Sequence, residues 1–288
     1  MPNFMDDELV LGENLYIVDT KDPHINSADF ARLLGQDNVL NTELSENVWP
    51  AGFVPQHESI ALDIACGPGG QVREWHRLCP HMRLIGIDNN RKAIAYARSH
   101  EATSHSSNVS FELMDILQPL DFLDASFDVV NARLLIGVLP QGHWPTFLSE
   151  CKRILKPGGF IRLIECEMNY IVNAPITHQV VDLFLDFLWT SGRSFSRQQM
   201  SITPMLPSYL RDAAFSDVKL QMHGIDWSTG SRWHNDMSMD VLMSFQVMRP
   251  AFAKMMSGDE IDQLLAGMKE ELKNVKAVWP ITIATGRK

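Results

Sequence analysis

The chain has no CxxC pair, no stretch of eighteen apolar residues and too few bases to balance its acids. Each absence removes a class of protein. Its four cysteines, Cys66, Cys79, Cys151 and Cys166, lie far apart, which is the pattern of reduced, buried thiols and not of a disulfide framework. Without a long apolar run there is no candidate for a membrane-spanning helix. Met1 to Val10 carries Asp6, Asp7 and Glu8 where a secretory leader would carry bases and an apolar segment, so the expected location is the cytoplasm. The 25 Lys and Arg stand against 35 Asp and Glu, a net charge of −10, which opposes a broad grip on nucleic-acid phosphates. No H-x-x-x-H or H-E-x-x-H occurs, His223 and His234 are far apart, and the scattered acids have no ligand spacing; no metal is expected. A G-x-S-x-G elbow is missing too, which leaves covalent hydrolase chemistry without support.

What remains is a chain of 288 residues, 45% apolar and 21% charged, enough for one elaborated core. The acidity is concentrated at the start, where residues 1–59 hold eleven acids and two bases. Residues 1–58 read as an N-terminal extension or lid with one helix, Ser27 to Leu34, capped by Ser27 and ended by Gly35. From residue 59 short apolar runs alternate with amphipathic segments, the signature of a parallel sheet with crossover helices. Strands are expected at 60–65, 83–88, 109–114, 127–132 and 159–165, with helices at about 70–78, 91–100 and 144–155. Later come apolar helices at 176–192 and from Thr203-Pro204 to about Ala214, a strand at Val218–Met222 and a last strand at Ile281–Thr285. Ser257-Gly258-Asp259-Glu260 has the S-x-x-E form of a capping box. The fold class is therefore α/β, doubly wound, in one domain over 59–288 with helical cap insertions at about 168–214 and 227–276.

The chemistry is carried by the end of the first strand, Leu62-Asp63-Ile64-Ala65-Cys66-Gly67-Pro68-Gly69-Gly70, followed at once by a helix. A glycine-rich turn lets a ligand approach the backbone and meet the positive end of the helix. A dinucleotide fingerprint would need a third glycine where Val72 stands, and a P-loop would need Lys-Ser or Lys-Thr after the glycines; both readings fail. The second strand ends in Asp88, 21 residues past Gly67, where a carboxylate can accept both hydroxyls of an adenosine ribose.

These motifs resemble the class I S-adenosylmethionine-dependent methyltransferases over about residues 60–167, with D-x-G-x-G-x-G written here with Ala65 for its first glycine, and with Leu155-Lys156-Pro157-Gly158-Gly159 before the fifth strand. The resemblance implies a Rossmann-like, mostly parallel seven-stranded sheet and S-adenosylmethionine as cofactor. It also implies Asp63 near the methionine ammonium, Ala65, Gly67 and Gly69 against the cofactor, and Asp88 with Asn89 at the ribose. Asp115 and Ile116 would lie at the adenine and Asn131 at the methionine end. Ala65 is expected to keep a negative φ, with Gly67 and Gly69 supplying the permissive positions. Arg133, beyond Asn131, reads as a surface ion pair or a cofactor contact.

Methyl transfer is an in-line displacement that needs positioning more than acid-base chemistry. Candidate bases are Glu165, His143 and His178; Glu165 reads equally as an anchor for the sheet end, and the histidines as helix caps or surface residues. The cap is rich in Phe184, Phe187, Trp189, Phe245, Met248 and Phe252, which favours a small apolar acceptor over a sugar or phosphate. The O, C and N routes all stay open, as does a homodimer. RNA or protein as acceptor is the alternative, although Asn131-Ala132-Arg133-Leu134 lacks the N-P-P-Y form of base methylation. A second alternative is an S-adenosylmethionine-binding protein of this fold with a non-methylating reaction.

Overall fold

The computed structural model describes residues 23–104, 106–168, 170–198 and 202–288; the first part of the expected extension, residues 1–22, lies outside them. Strands β1 (Ile60–Ile64), β2 (Arg83–Asp88), β3 (Val109–Leu113), β4 (Phe127–Arg133) and β5 (Leu155–Cys166) pair in parallel in the order β3-β2-β1-β4-β5. Sequence order reverses between β1 and β4, and the crevice at that reversal is where open α/β sheets take their ligands. Helices α2 (Gly70–Leu78), α3 (Arg91–Ser104) and α4 (Trp144–Ile154) make the crossovers. Strand alternation divides the core between two faces. Ala61 and Val129 pack with Val72, Trp75 and Ile94 on one side, and Leu62, Ile64 and Val130 with Trp144, Phe147 and Leu148 on the other.

Beyond β5 the sheet turns antiparallel through β8 (Lys276–Arg287), which pairs with β5 and with β7 (Ser216–Asp226). An eighth strand joins the expected seven. It is β6 (Tyr170–Val172), which continues along the same edge of β8 as β5: Cys166 faces Ile281 and Tyr170 faces Val278. Three residues give no period from which to read it. The L-K-P-G-G turn lies inside β5, where Phe127 pairs with Leu155 but Val129 with Phe160, so residues 156–159 loop out of the ladder. A Lys156–Asp128 ion pair at 2.7 Å spans this bulge, and Asp128 also accepts the Ile60 amide at 2.8 Å.

The N-terminal helix departs from expectation. Instead of stopping at Gly35, α1 runs Pro23–Glu43, with Ser27 inside it. Glycine in a helix interior costs about 0.5–1 kcal/mol, but burial of Val39 and Leu40 beyond it, each worth about 1.5–3 kcal/mol, outweighs that. Helix α1 packs on α2 and on α7 (His234–Val247). Its end is fixed by Trp233, whose Nε1 donates to Glu43 at 2.6 Å. The other cap helices are α5 (Pro175–Thr190), α6 (Leu206–Asp212), which starts later than Thr203, the single turn α8 (Arg249–Phe252) and α9 (Gly258–Glu271). Ser257 and Glu260 form the reciprocal capping box at the start of α9.

Gly86, in β2 beside β1 and β3, has no room for a side chain: a Cβ there would lie 2.7 Å from the Phe111 ring and 2.9 Å from Cys66 Sγ. Gly86→Ala is therefore expected to destabilise the fold by about 1–3 kcal/mol, read as a lower urea midpoint at unchanged m-value.

Candidate active site

At the C-terminal ends of β1, β2 and β4 a cleft of about 580 Å³ opens, lined by Ala65, Cys66, Gly67, Pro68 and Asp88 below and by Leu33, Gln36, Asp37 and Leu40 of α1 above. The glycine turn forms its floor. Gly67 and Gly69 have φ of 51° and 87°, in the left-handed region, and a Cβ on Gly67 would meet nothing within 4 Å. Ala65 is also left-handed, with φ 53°, contrary to the negative φ expected of it. The turn requires that geometry at this position, and alanine holds it at a cost of roughly 1–2 kcal/mol.

Asp88 closes the turn from β2. Its Oδ2 accepts the Gly67 amide at 2.9 Å and its Oδ1 the Asn90 amide at 2.8 Å, with the Asn89 amide also bearing on the carboxylate. Burial raises its pKa while those amides oppose the rise. Asn90 in turn caps α3, accepting the Lys92 and Ala93 amides. The end of β3 is tied alongside, the Met114 amide donating to the Asp88 carbonyl at 3.1 Å. Asp115 accepts the Leu117 amide at 2.9 Å and Ile116 packs against the core; neither lines the cleft.

Asp63 and Asn131 lie beneath the cleft instead of in its wall. They are register partners across β1 and β4, and Asn131 faces Arg162 on β5. The three form a buried polar row: Asn131 Nδ2 donates to Asp63 at 2.7 Å, and Arg162 donates to Asn131 Oδ1 at 2.9 Å and to the Asn47 carbonyl at 2.6 Å. Burial pushes the Asp63 carboxyl up to about 6 against the pull of nearby Arg133. Arg133, read from the sequence as either a surface ion pair or a cofactor contact, is largely buried and paired. It lines the cleft, donates to Asn41 Oδ1 at 2.9 Å and forms a short ion pair with Asp37, which also receives the Gly70 amide of α2.

Next to this cleft is a second cavity of about 830 Å³, mostly apolar, with Ile171, Val181, Phe184, Phe245, Met248 and Trp279 in its wall. Gln36 and Leu134 line both. Leu134 is left-handed too, at φ 56°, so both non-glycine residues strained at this edge border the cleft. Of the aromatic and methionine residues expected around an acceptor, Phe184, Phe245 and Met248 line this cavity, while Trp189 is exposed and Phe252 is buried elsewhere in the core.

The three candidate bases are not brought to either cavity. Glu165 is fully buried and accepts the Leu135 and Ile136 amides at 2.8 and 3.3 Å, anchoring the turn after β4; burial pushes its carboxyl up to about 8. His143 is exposed before α4. His178 lies on the outside of α5, bonded through Nε2 to the Ile171 carbonyl at 2.8 Å. Among the described residues no cluster of His, Cys, Asp and Glu could hold a metal ion, and no helix is long and apolar enough to cross a membrane.

The comparisons with known proteins agree with this arrangement. Residues 61–159 match the family described as "Methyltransferase domain". This stretch holds the glycine turn, Asp88 and Asn131, the residues on which the resemblance rests. Over residues 61–159, about a third of the chain, this protein is similar to that methyltransferase family. "Probable methyltransferase ltbC" of Aspergillus luteorubrus is 33% identical over 106 residues, 35% of this chain and 37% of that protein. The carboxy-S-adenosyl-L-methionine synthase of Haemophilus ducreyi is 26% identical over 58% of this chain and 72% of its own. The chain thus spans a little over a third of the first relative and nearly three quarters of the second. Among solved structures, phosphoethanolamine N-methyltransferase 2 of Haemonchus contortus superposes on the methyltransferase fold with a TM-score of 0.52, at 18% identity, covering 86% of this chain and 52% of that one.

Asp63 and Glu165 both have folded pKa values above those of free carboxyls, so the folded protein holds their protons more tightly than the unfolded chain does. Stability from these groups is present at low pH and is lost as pH rises from about 4 through 8. The urea midpoint of the ligand-free protein is expected to be lower at pH 8.5 than at pH 5.5, and Glu165→Gln to reduce that difference.

Proposed function

We propose that this chain binds S-adenosylmethionine in the glycine-turn cleft and transfers its methyl group to a small, lipophilic acceptor held in the adjoining cavity. The observation that carries the reading is the junction: the cleft built on Gly67 and Asp88 shares Gln36 and Leu134 with the neighbouring, mostly apolar cavity. Donor and acceptor would meet there without water between them.

The residues fit the cofactor. Gly67 leaves its cradle open where a side chain would intrude, and Asp88 is held in place by backbone amides with lone pairs left for ribose hydroxyls. Asp37 and Arg133 offer one charge of each sign to the ammonium and carboxylate of the methionine end, a role the resemblance gave to Asp63 and Asn131; here those two brace the floor. Asp115 and Ile116, beside Asp88, remain the proposed adenine contacts. When bound, the cofactor supplies an activated methyl on a sulfonium that leaves as a neutral thioether. The protein's part is to orient the two partners in line and exclude water, with α1 as the cover over the cleft. None of the three bases expected from the sequence, Glu165, His143 and His178, lines either cavity.

The relative named for synthesis of carboxy-S-adenosyl-L-methionine favours a second reading, in which the bound cofactor is the substrate of a non-methylating reaction. Incubation with methyl-labelled S-adenosylmethionine separates them: label in an extractable apolar product supports transfer, and label on a cofactor of changed mass supports the second. The cofactor assignment is tested by calorimetry with S-adenosylhomocysteine. Asp88→Ala is expected to weaken binding by about 1.5–3 kcal/mol, the value of hydrogen bonds to a charged group. Unchanged affinity would move the ribose site elsewhere.

A further inference from the structure

The apolar cavity has a charged wall that methyl transfer to an unspecified acceptor does not explain. Arg32 of α1 lies between two carboxylates, its Nε 2.6 Å from Asp29 and an Nη 3.0 Å from Asp240 of α7. Gln36 adds its Nε2 to Asp240 at 3.2 and 3.3 Å, which leaves the amide oxygen as that side chain's acceptor. Arg32, Gln36 and Asp240 line the cavity, and so does Glu167, which accepts the Thr203 hydroxyl at 2.7 Å. Three carboxylates thus accompany one guanidinium in and behind this wall. Asp29 Oδ2 is buried with no hydrogen-bond partner. The rest of the lining is largely hydrocarbon, so the excess negative charge acts across a medium that screens it poorly.

We propose that the cavity selects a lipophilic amine and that the reaction is N-methylation, with Asp240 and Glu167 stabilising the positive charge as it arrives on nitrogen. This rests on the methyl transfer proposed above. The balance of the step singles out nitrogen. The amine gives up its proton to solvent before the step; the neutral nitrogen then donates its lone pair to the methyl carbon, the N–C bond forms, the S–C bond breaks and its electron pair returns to sulfur. No proton need leave during the step. The charge that sat on the sulfonium ends on the ammonium product, inside a cavity whose wall is acidic. An oxygen acceptor would instead have to develop phenolate or carboxylate character among these same acids, which raises its energy. Arg32 offers an anion little relief, because two carboxylates already hold its charge.

The test is calorimetric titration of the full chain with three probes of matched shape, 4-phenylbutylamine, 4-phenylbutanol and 4-phenylbutanoate, with S-adenosylhomocysteine titrated in parallel. At neutral pH the amine probe is protonated and carries the charge of the product. It is expected to bind about tenfold or more tightly than the alcohol and the acid, the share of a hydrogen bond to a charged group. Asp240→Asn should remove most of that preference, and Glu167→Gln reduces it independently, which keeps the question open to an answer if the first variant does not fold. Equal affinity for all three probes, tighter binding of the acid, or no binding of any at millimolar concentration overturns the proposal. Adenosylhomocysteine separates the two readings. If it binds while the amine preference is missing, the inference alone fails; if it does not bind, the methyl-transfer reading fails.

Discussion

The ion pair between Asp37 on α1 and Arg133 at the end of β4 joins parts of the chain that sequence keeps nearly a hundred residues apart. Asp37 also takes the first amide of α2, so one carboxylate ties the N-terminal helix, the glycine turn and the fourth strand together. Gly70 makes the approach feasible, since a Cβ there would stand 2.0 Å from Asp37 Oδ2. A buried pair of this kind contributes little net stability, because desolvation offsets its attraction; losing one partner nevertheless costs about 3–5 kcal/mol, since the other charge is stranded. Its consequence is positional. With α1 fixed there, Leu33, Gln36 and Leu40 cover the cleft, and Arg32 and Gln36 reach the neighbouring cavity.

Strain and buried polarity gather around the same edge of the sheet. Ala65 and Leu134, each in a left-handed conformation, follow β1 and β4, and Glu165 holds the turn beyond Leu134 through two backbone amides. A buried carboxyl raised by desolvation is often read as catalytic. Here its hydrogen bonds account for it: Glu165 replaces the missing partners of a tight turn, and Asp63 is one end of a row that crosses three strands. Beneath the site these polar groups bond to one another across three strands, while Arg162 Nε is buried without a hydrogen-bond partner.

Much of the sheet was legible in the sequence. Short, mostly apolar runs bounded by turn residues gave bounds for β1, β2 and β4 within a residue of those observed, since period and turn chemistry act locally. The glycine turn and Asp88 were legible for the same reason. Three features were not. Gly35 looks like a helix stop because the burial of Val39 and Leu40 that carries α1 past it is tertiary. The negative φ assigned to Ala65 followed residue preference, whereas the turn dictates the conformation. The contacts that define the cavities, Arg32 with Asp240 across 208 positions and Arg133 with Asp37 across 96, leave no local trace. The acid-rich start of the chain signalled charge there but not its partner.

The central claim is that α1, held by Asp37 and Arg133, completes the cofactor cleft. A double-mutant cycle with Asp37→Asn and Arg133→Gln, read as the dissociation constant of S-adenosylhomocysteine, tests it directly. The account predicts that either change weakens binding by about tenfold or more and that the double variant is little worse than the weaker single one. Wild-type affinity in both single variants would contradict it and leave the helix as packing alone.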